Sequence, residues 1–171
     1  MKRLPRAEVV LPFVILIGAA MLGVSEFMVA FEFTPPGGEP LDDVISGDRH
    51  GYSMLIFAIS AVVATLAAVL TGARPAAYAV AVIGGVALIL FLIVDLPDAG
   101  KLGDLEDPLR GLASARAQPQ IGFWLEAIGT TILALGGAAF ATLNSEQLRI
   151  LGPGTPGDPT PDPPKTSSAN T

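Results

Sequence analysis

Four apolar runs set the pattern along the chain: residues 9–31, 52–71, 76–95 and 121–143. A bilayer core about 30 Å thick calls for roughly 20 residues of helix, and each run is of that length. Pro or Gly punctuates every boundary, in FTPPGGEP, GARP, LPDAG and LGPG. With no water in lipid to bond the backbone, such segments are predicted to be helices rather than open strands. The expected fold is all-α, an integral membrane up-down-up-down four-helix bundle with two extracytoplasmic loops. The short turn pairs the second and third helices, and the topology makes the first and fourth neighbours.

Between the runs lie residues 1–8, a first loop at 32–51, a turn at 72–75, a second loop at 96–120 and a tail at 144–171. Lys2, Arg3 and Arg6, then Arg74 and Arg149, fall on one side, against Arg49, Lys101, Arg110 and Arg116 in the long loops. The basic cluster before the first helix dominates orientation, which predicts a multi-pass protein of the cell membrane with both termini cytoplasmic. Tyr52 and Trp124 then fall at the outer interface, where amphipathic rings collect. The basic start and first run also resemble a signal peptide, but the run exceeds an h-region and no A-x-A site follows, so it is expected to remain as a span.

Small residues recur every fourth position in three runs: Ala77, Ala81 and Gly85; Ser60, Ala64 and Ala68; Thr130, Ala134 and Ala138. Such ladders let helices approach closely. In the second loop Leu102, Leu105, Leu109 and Leu112 have helix-like spacing, and Asp107-Pro108 resembles an N-cap with a first-turn proline, so either a surface helix or a loop tucked on the bundle is expected. From about residue 152 the tail alternates Pro or Gly with polar residues and is expected to be disordered, with polyproline character.

Composition narrows the function. Only 15% of the 171 residues are charged and 51% are hydrophobic, against about 25% charged in an average soluble domain. A net charge of −6 excludes a nucleic-acid binder, which needs clustered cations. Without cysteine there is no disulfide, thiolate metal site or thiol nucleophile. No H-E-x-x-H, P-loop, dinucleotide fingerprint or nucleophile elbow is present, so neither catalysis nor a cofactor is expected. His50 in GDRHGY lies near Asp42, Asp43 and Asp48, yet one histidine without a second soft ligand reads as a solvated turn rather than a metal site.

The chemistry that remains is carboxylate. Glu26 and Glu32 close the first run six positions apart, about 120° around a helix, so they do not share a face. Glu32 is an ordinary boundary residue, whereas Glu26 sits roughly 10 Å deeper than Phe33. Asp95 ends the third run, and Glu126 lies about 8 Å into the fourth. Glu26, Asp95 and Glu126 thus form a candidate intramembrane cluster, which must be relieved of a burial cost of about 2.5 to 3.5 kcal/mol per mid-membrane charge. A proton shared between Glu26 and Glu126, ion pairs with Lys101, Arg110 or Arg116, or a bridging cation would each do so. No acid or base lies deep in the inner half of any run, which argues against a continuous proton path.

The stretch DLPDAGKLGDLEDP followed by GFWLEAIG resembles the last outer loop and final span of small multi-pass membrane proteins of high-GC Gram-positive bacteria that have no assigned activity. The layout is also similar to claudin-like proteins, without their W…C-C signature. The expectation is a non-enzymatic integral membrane protein, an interaction or accessory component whose partners are the lipid bilayer and another membrane or envelope protein, with a second copy of itself as a further candidate partner. The alternative is a small cation- or proton-coupled transporter or sensor built on Glu26, Asp95 and Glu126.

Overall fold

The structure is a computed structural model that describes residues 7–34, 42–107, 111–145, 147 and 148, with side chains for all of these except 7, 8, 42, 50 and 102–115. The tail from 152, Arg110 and the basic residues 2, 3 and 6 lie outside the described residues.

Helix α1 (Ala7–Ser25) leads into strands β1 (Val29–Thr34) and β2 (Asp42–Ile45), a five-residue helix α2 (Ser46–His50) and helix α3 (Ser53–Thr71). Helix α4 (Arg74–Leu90) follows the turn at Gly72. It widens into a π-type stretch, Phe91–Asp95, and a 3-10 turn, Leu96–Asp98. Strands β3 (Leu102–Asp107) and β4 (Gly111–Pro119) precede helix α5 (Ile121–Ala141). Three helices are long and apolar enough to cross a membrane, Ser53–Thr71, Arg74–Asp98 and Ile121–Ala141; Val9–Ser25 is a shorter apolar helix.

Helix α5 packs between α1 and α4, and α3 closes the group by touching both α1 and α4. Each contact is antiparallel: Gly136 meets Ile15 and Gly129 meets Leu22, while Gly84 meets Leu133 and Gly137 meets Ala81. The interior stripe is built from small residues, whereas Phe13, Ile56, Val63, Val82, Ile93 and Leu135 point outward, each at least 60% exposed. A helix that is apolar on all sides suits a membrane span or the core of a large protein. Beyond α5 the chain turns inward again. Asn144 and Gln147 exchange side-chain-to-backbone hydrogen bonds at 2.9 and 2.8 Å, a reciprocal cap, and Leu148 is fully buried.

The small-residue ladders fall differently from their fourfold spacing. Ala77, Ala68 and Thr130 are buried, but the α4 contact with α5 runs through Gly84, not Gly85, and Ala138 is exposed. A 3.6-residue period carries a strict four-residue ladder off the contact line within a few turns.

The all-α expectation needs a larger correction, because the two long connections join in one antiparallel sheet of order β2-β1-β4-β3. The first helix stops at Ser25, not near Phe31. Ser25 Oγ donates to the Leu22 carbonyl at 2.7 Å, Phe27 and Met28 turn the backbone, and VAFEFT continues as a strand. Its aromatic and β-branched residues, Val29, Phe31, Phe33 and Thr34, suit a pleated surface. Glu26 and Glu32 therefore do not lie on one helix. Nor does the second loop form a helix, since Leu102 and Leu105 lie in β3 and Leu112 in β4, with Leu105 opposite Ala113. Leu109 is outside the described residues. The period-two signal was present in Ala113, Ala115 and Ala117, alternating with Ser114, Arg116 and Gln118.

Phe31, Phe91 and Phe123 join the sheet to the helices, with ring centroids 5.4 and 5.2 Å apart around Phe123. Sheet and α2 sit at the end of the bundle where α1 and α4 finish and α3 and α5 begin.

Candidate functional site

Glu26, Asp95 and Glu126 are all buried at this junction, none more than 1% exposed. Three different elements deliver them: the turn after α1, the π-type end of α4 and the second turn of α5. The widened helix places Phe91 and Asp95 on the same inward side, and π-type stretches commonly serve such local re-aiming.

Glu26 acts on the start of α3. Its Oε1 accepts the Met54 backbone N–H at 2.9 Å. Met54 is the second residue of α3, and the N-cap residue Tyr52 makes no side-chain cap bond. The first N–H groups of a helix have no intrahelical acceptor, and a carboxylate there also meets the positive end of the helix dipole. Glu26 is thus a cap supplied from the turn after α1. Gly51 (φ 55°) and Tyr52 (φ 59°) are both left-handed and give the sharp turn that brings this helix end round.

Glu126 is held by α2, whose Ser46 Oγ donates to Glu126 Oε2 at 2.8 Å, with both groups buried. Asp95 meets the same short helix through Arg49, with Nη2 to Oδ1 at 3.4 Å. The guanidinium also binds Asp98 at 2.7 Å and lies 4.7 Å over the Phe31 ring. Backbone bonds add to this, from Ser46 N–H to the Met28 carbonyl at 3.1 Å and from Gly47 N–H to the Glu26 carbonyl at 3.0 Å. A side chain at Gly47 would collide with that carbonyl, at 2.7 Å. The segment SGDRH is therefore a hub rather than a solvated turn, with Ser46 and Gly47 buried and Asp48 exposed.

Of the ion-pair partners expected from sequence, Lys101 binds Asp98 at 2.5 Å instead of the deeper acids. The Arg116 guanidinium lies beside Gly100, whose Cβ position is 3.7 Å away, and Arg110 is outside the described residues. Arg49 was the residue missed. Being the only Arg or Lys in the first loop was its one signal. Among the described residues no three His, Asp or Glu side chains converge as a metal-ligand group; the side chain of His50 is not among them.

The arrangement couples elements, because α2 reaches α5 through Ser46, the end of α4 through Arg49 and the turn after α1 through the Ser46 and Gly47 backbone. Ser46→Ala is expected to lower stability by about 1.5 kcal/mol, the value of a buried hydrogen bond to a charged acceptor. Asp48→Ala on the exposed side should change it by less than about 0.5 kcal/mol. Unfolding of both variants in detergent, followed by Trp124 fluorescence, checks the pair.

Comparison with protein-family models, curated proteins and solved structures finds no match to this chain.

Proposed function

We propose that the protein is a non-enzymatic multi-pass component of the cell membrane. Its four long helices span the bilayer as an up-down-up-down bundle, both termini are cytoplasmic, and the sheet stands outside as a platform for another membrane or envelope protein. Val9–Ser25, with 17 residues, reaches the lower end of the length that spans a hydrocarbon core. The observation that carries the reading is the α2 hub. The carboxylates available for ion coupling take donors from α2 and from the start of α3, which fastens the connection that follows β2 to the helices, as a rigid display surface requires. Edge strand β2 is short and begins with two aspartates, features that keep a sheet edge from pairing indiscriminately.

Because the chain has no cysteine, single cysteines report its topology directly. Asp48→Cys should react with a membrane-impermeant maleimide on intact cells and Arg74→Cys should not. A photo-crosslinker at exposed Gln118 should yield a discrete adduct in native membranes, and proteoliposomes should pass ions no faster than protein-free vesicles. Absence of any adduct overturns the reading. Ion flux that disappears with Glu26→Gln and Glu126→Gln replaces it with a cation- or proton-coupled transporter or sensor.

A further inference from the structure

The sheet has two edges, and they differ. β2 has four residues and runs directly into α2, whereas β3 has six and, among the described strands, a neighbour on one side only. The hydrogen bonds of β4 show which β3 groups face outward. Ala117 accepts from the Gly100 N–H and donates to the Lys101 carbonyl, both at 3.0 Å, while the Gln120 N–H turns the other way, to the Ala30 carbonyl at 2.8 Å. Odd-numbered residues of β4 therefore address β3, and even-numbered ones address β1. In the observed register Ala115, Ala113 and Gly111 stand opposite Gly103, Leu105 and Asp107, so these three turn their backbone groups inward. Leu102, Asp104 and Glu106 present theirs at the open edge, a row of N–H and C=O groups with which a further strand can pair.

Charge decides which strand. Two copies of β3 pairing antiparallel must oppose outward-facing residues to outward-facing ones, so the central registers set Asp104 against its own copy or against Glu106. Like charges directly opposite destabilise a sheet. A second copy is thereby disfavoured, and a strand with basic residues at those two places is favoured. Within the sheet the register positions opposite Asp104 and Glu106 are Ser114 and Leu112, and Arg116, opposite Leu102, carries its guanidinium beside Gly100. The surroundings draw a cation as well, because the two loops at 32–51 and 96–120 hold nine Asp and Glu against four Lys and Arg. We propose that β3 is the docking edge for an extended segment of the partner protein, laid antiparallel as a further strand beside this four-stranded sheet, with Lys or Arg at alternate positions to meet Asp104 and Glu106. The inference rests on the platform reading above and names the chemistry of the partner.

The probe is a fluorescently labelled peptide that alternates Lys and Thr, titrated by anisotropy into the full-length protein in detergent. It should bind about three- to tenfold more tightly than the same peptide with Gln for Lys, the worth of two cross-strand charge pairs. Asp104→Lys with Glu106→Lys should invert the preference toward a peptide alternating Glu and Thr, and unchanged Trp124 fluorescence shows that variant to be folded. If it is not, Asp104→Asn with Glu106→Gln serves, and should bind the Lys and Gln peptides equally. N-methylation separates backbone pairing from charge attraction. In an antiparallel pair the Lys residues opposite Asp104 and Glu106 point their own N–H groups at β3. Methylating those nitrogens should abolish binding, and methylating the Thr nitrogens should leave it in place. In native membranes a photo-crosslinker at Leu102 should capture the same protein as the one at Gln118.

Equal binding of the two methylated peptides, no binding of the Lys peptide, or a preference that survives loss of both carboxylates overturns the inference and leaves the platform reading standing. An adduct at Gln118 with none at Leu102 does the same. No adduct at either position overturns both.

Discussion

Replacing Arg49 by Met is expected to lower stability by about 3 kcal/mol, the lower end of the range for removing one member of a buried ion pair. For a chain of this size that is a fall in Tm of about 6 to 12 °C, readable in detergent from Trp124 fluorescence. The side chain does three things at once. It faces the buried Asp95 carboxylate, binds Asp98 at 2.7 Å and covers the Phe31 ring. Methionine keeps much of the packing and none of the charge, so the loss reads the electrostatics. Arg49→Lys should fall between wild type and Arg49→Met, because an ammonium is a point charge that cannot present a planar fork to two carboxylates while stacking on a ring. Arg49→Met combined with Asp95→Asn should recover a good part of the loss, since the second change removes the carboxylate charge that Arg49 faces. A double variant no more stable than Arg49→Met would mean that Arg49 acts through Phe31 and Asp98 alone.

That experiment concerns the part of the molecule least visible in its sequence. The apolar runs announced the helices, because length and hydropathy are local properties. Glu26, Asp95 and Glu126 were legible as residues out of place in such runs, and all three do lie buried at the same end of the bundle. Their partners were not legible. Ser46 is 80 positions from Glu126, and Met54 is 28 from Glu26. No period or motif marks a hydroxyl that will meet a carboxylate across such a distance, or a helix start that will be capped from a distant turn.

The sheet was hidden for a related reason. VAFEFT follows an apolar run without a break in hydropathy, so the run read as one long helix. Only its pairing with Ile45, Val44 and Asp43 on one side and with Pro119 to Arg116 on the other makes it a central strand. Pairing with distant segments also decided the second loop, where leucines at helical spacing competed with an alternating alanine pattern and the alternation prevailed. Both misreadings have one physical root. A strand is stabilised by its neighbours across the sheet, so its evidence lies elsewhere in the chain, whereas a helix carries its evidence in its own periodicity.

Gly84 and Gly85 are adjacent on α4 and should respond to alanine with opposite signs. A Cβ on Gly84 would stand 2.6 Å from the Leu133 carbonyl oxygen and 2.7 Å from the Ala134 nitrogen, both backbone atoms of α5. Neither can rotate away, so α5 itself must shift. Overpacking of this kind costs about 1 to 3 kcal/mol, more than the roughly 1 kcal/mol that alanine gains over glycine inside a helix. Gly85 has no atom within 4 Å of its Cβ position, so Gly85→Ala should keep that gain and stabilise the protein slightly. Valine sharpens the contrast. Gly84→Val is expected to cost about 3 kcal/mol, because two further methyl groups enter a space already closed by backbone, while Gly85→Val should stay within about 0.5 kcal/mol of wild type. Thermal unfolding of the four variants in one detergent gives the comparison. Equal effects at the two glycines would mean that α4 meets α5 along a different line, and that the fourfold spacing of Ala77, Ala81 and Gly85 marks the contact after all.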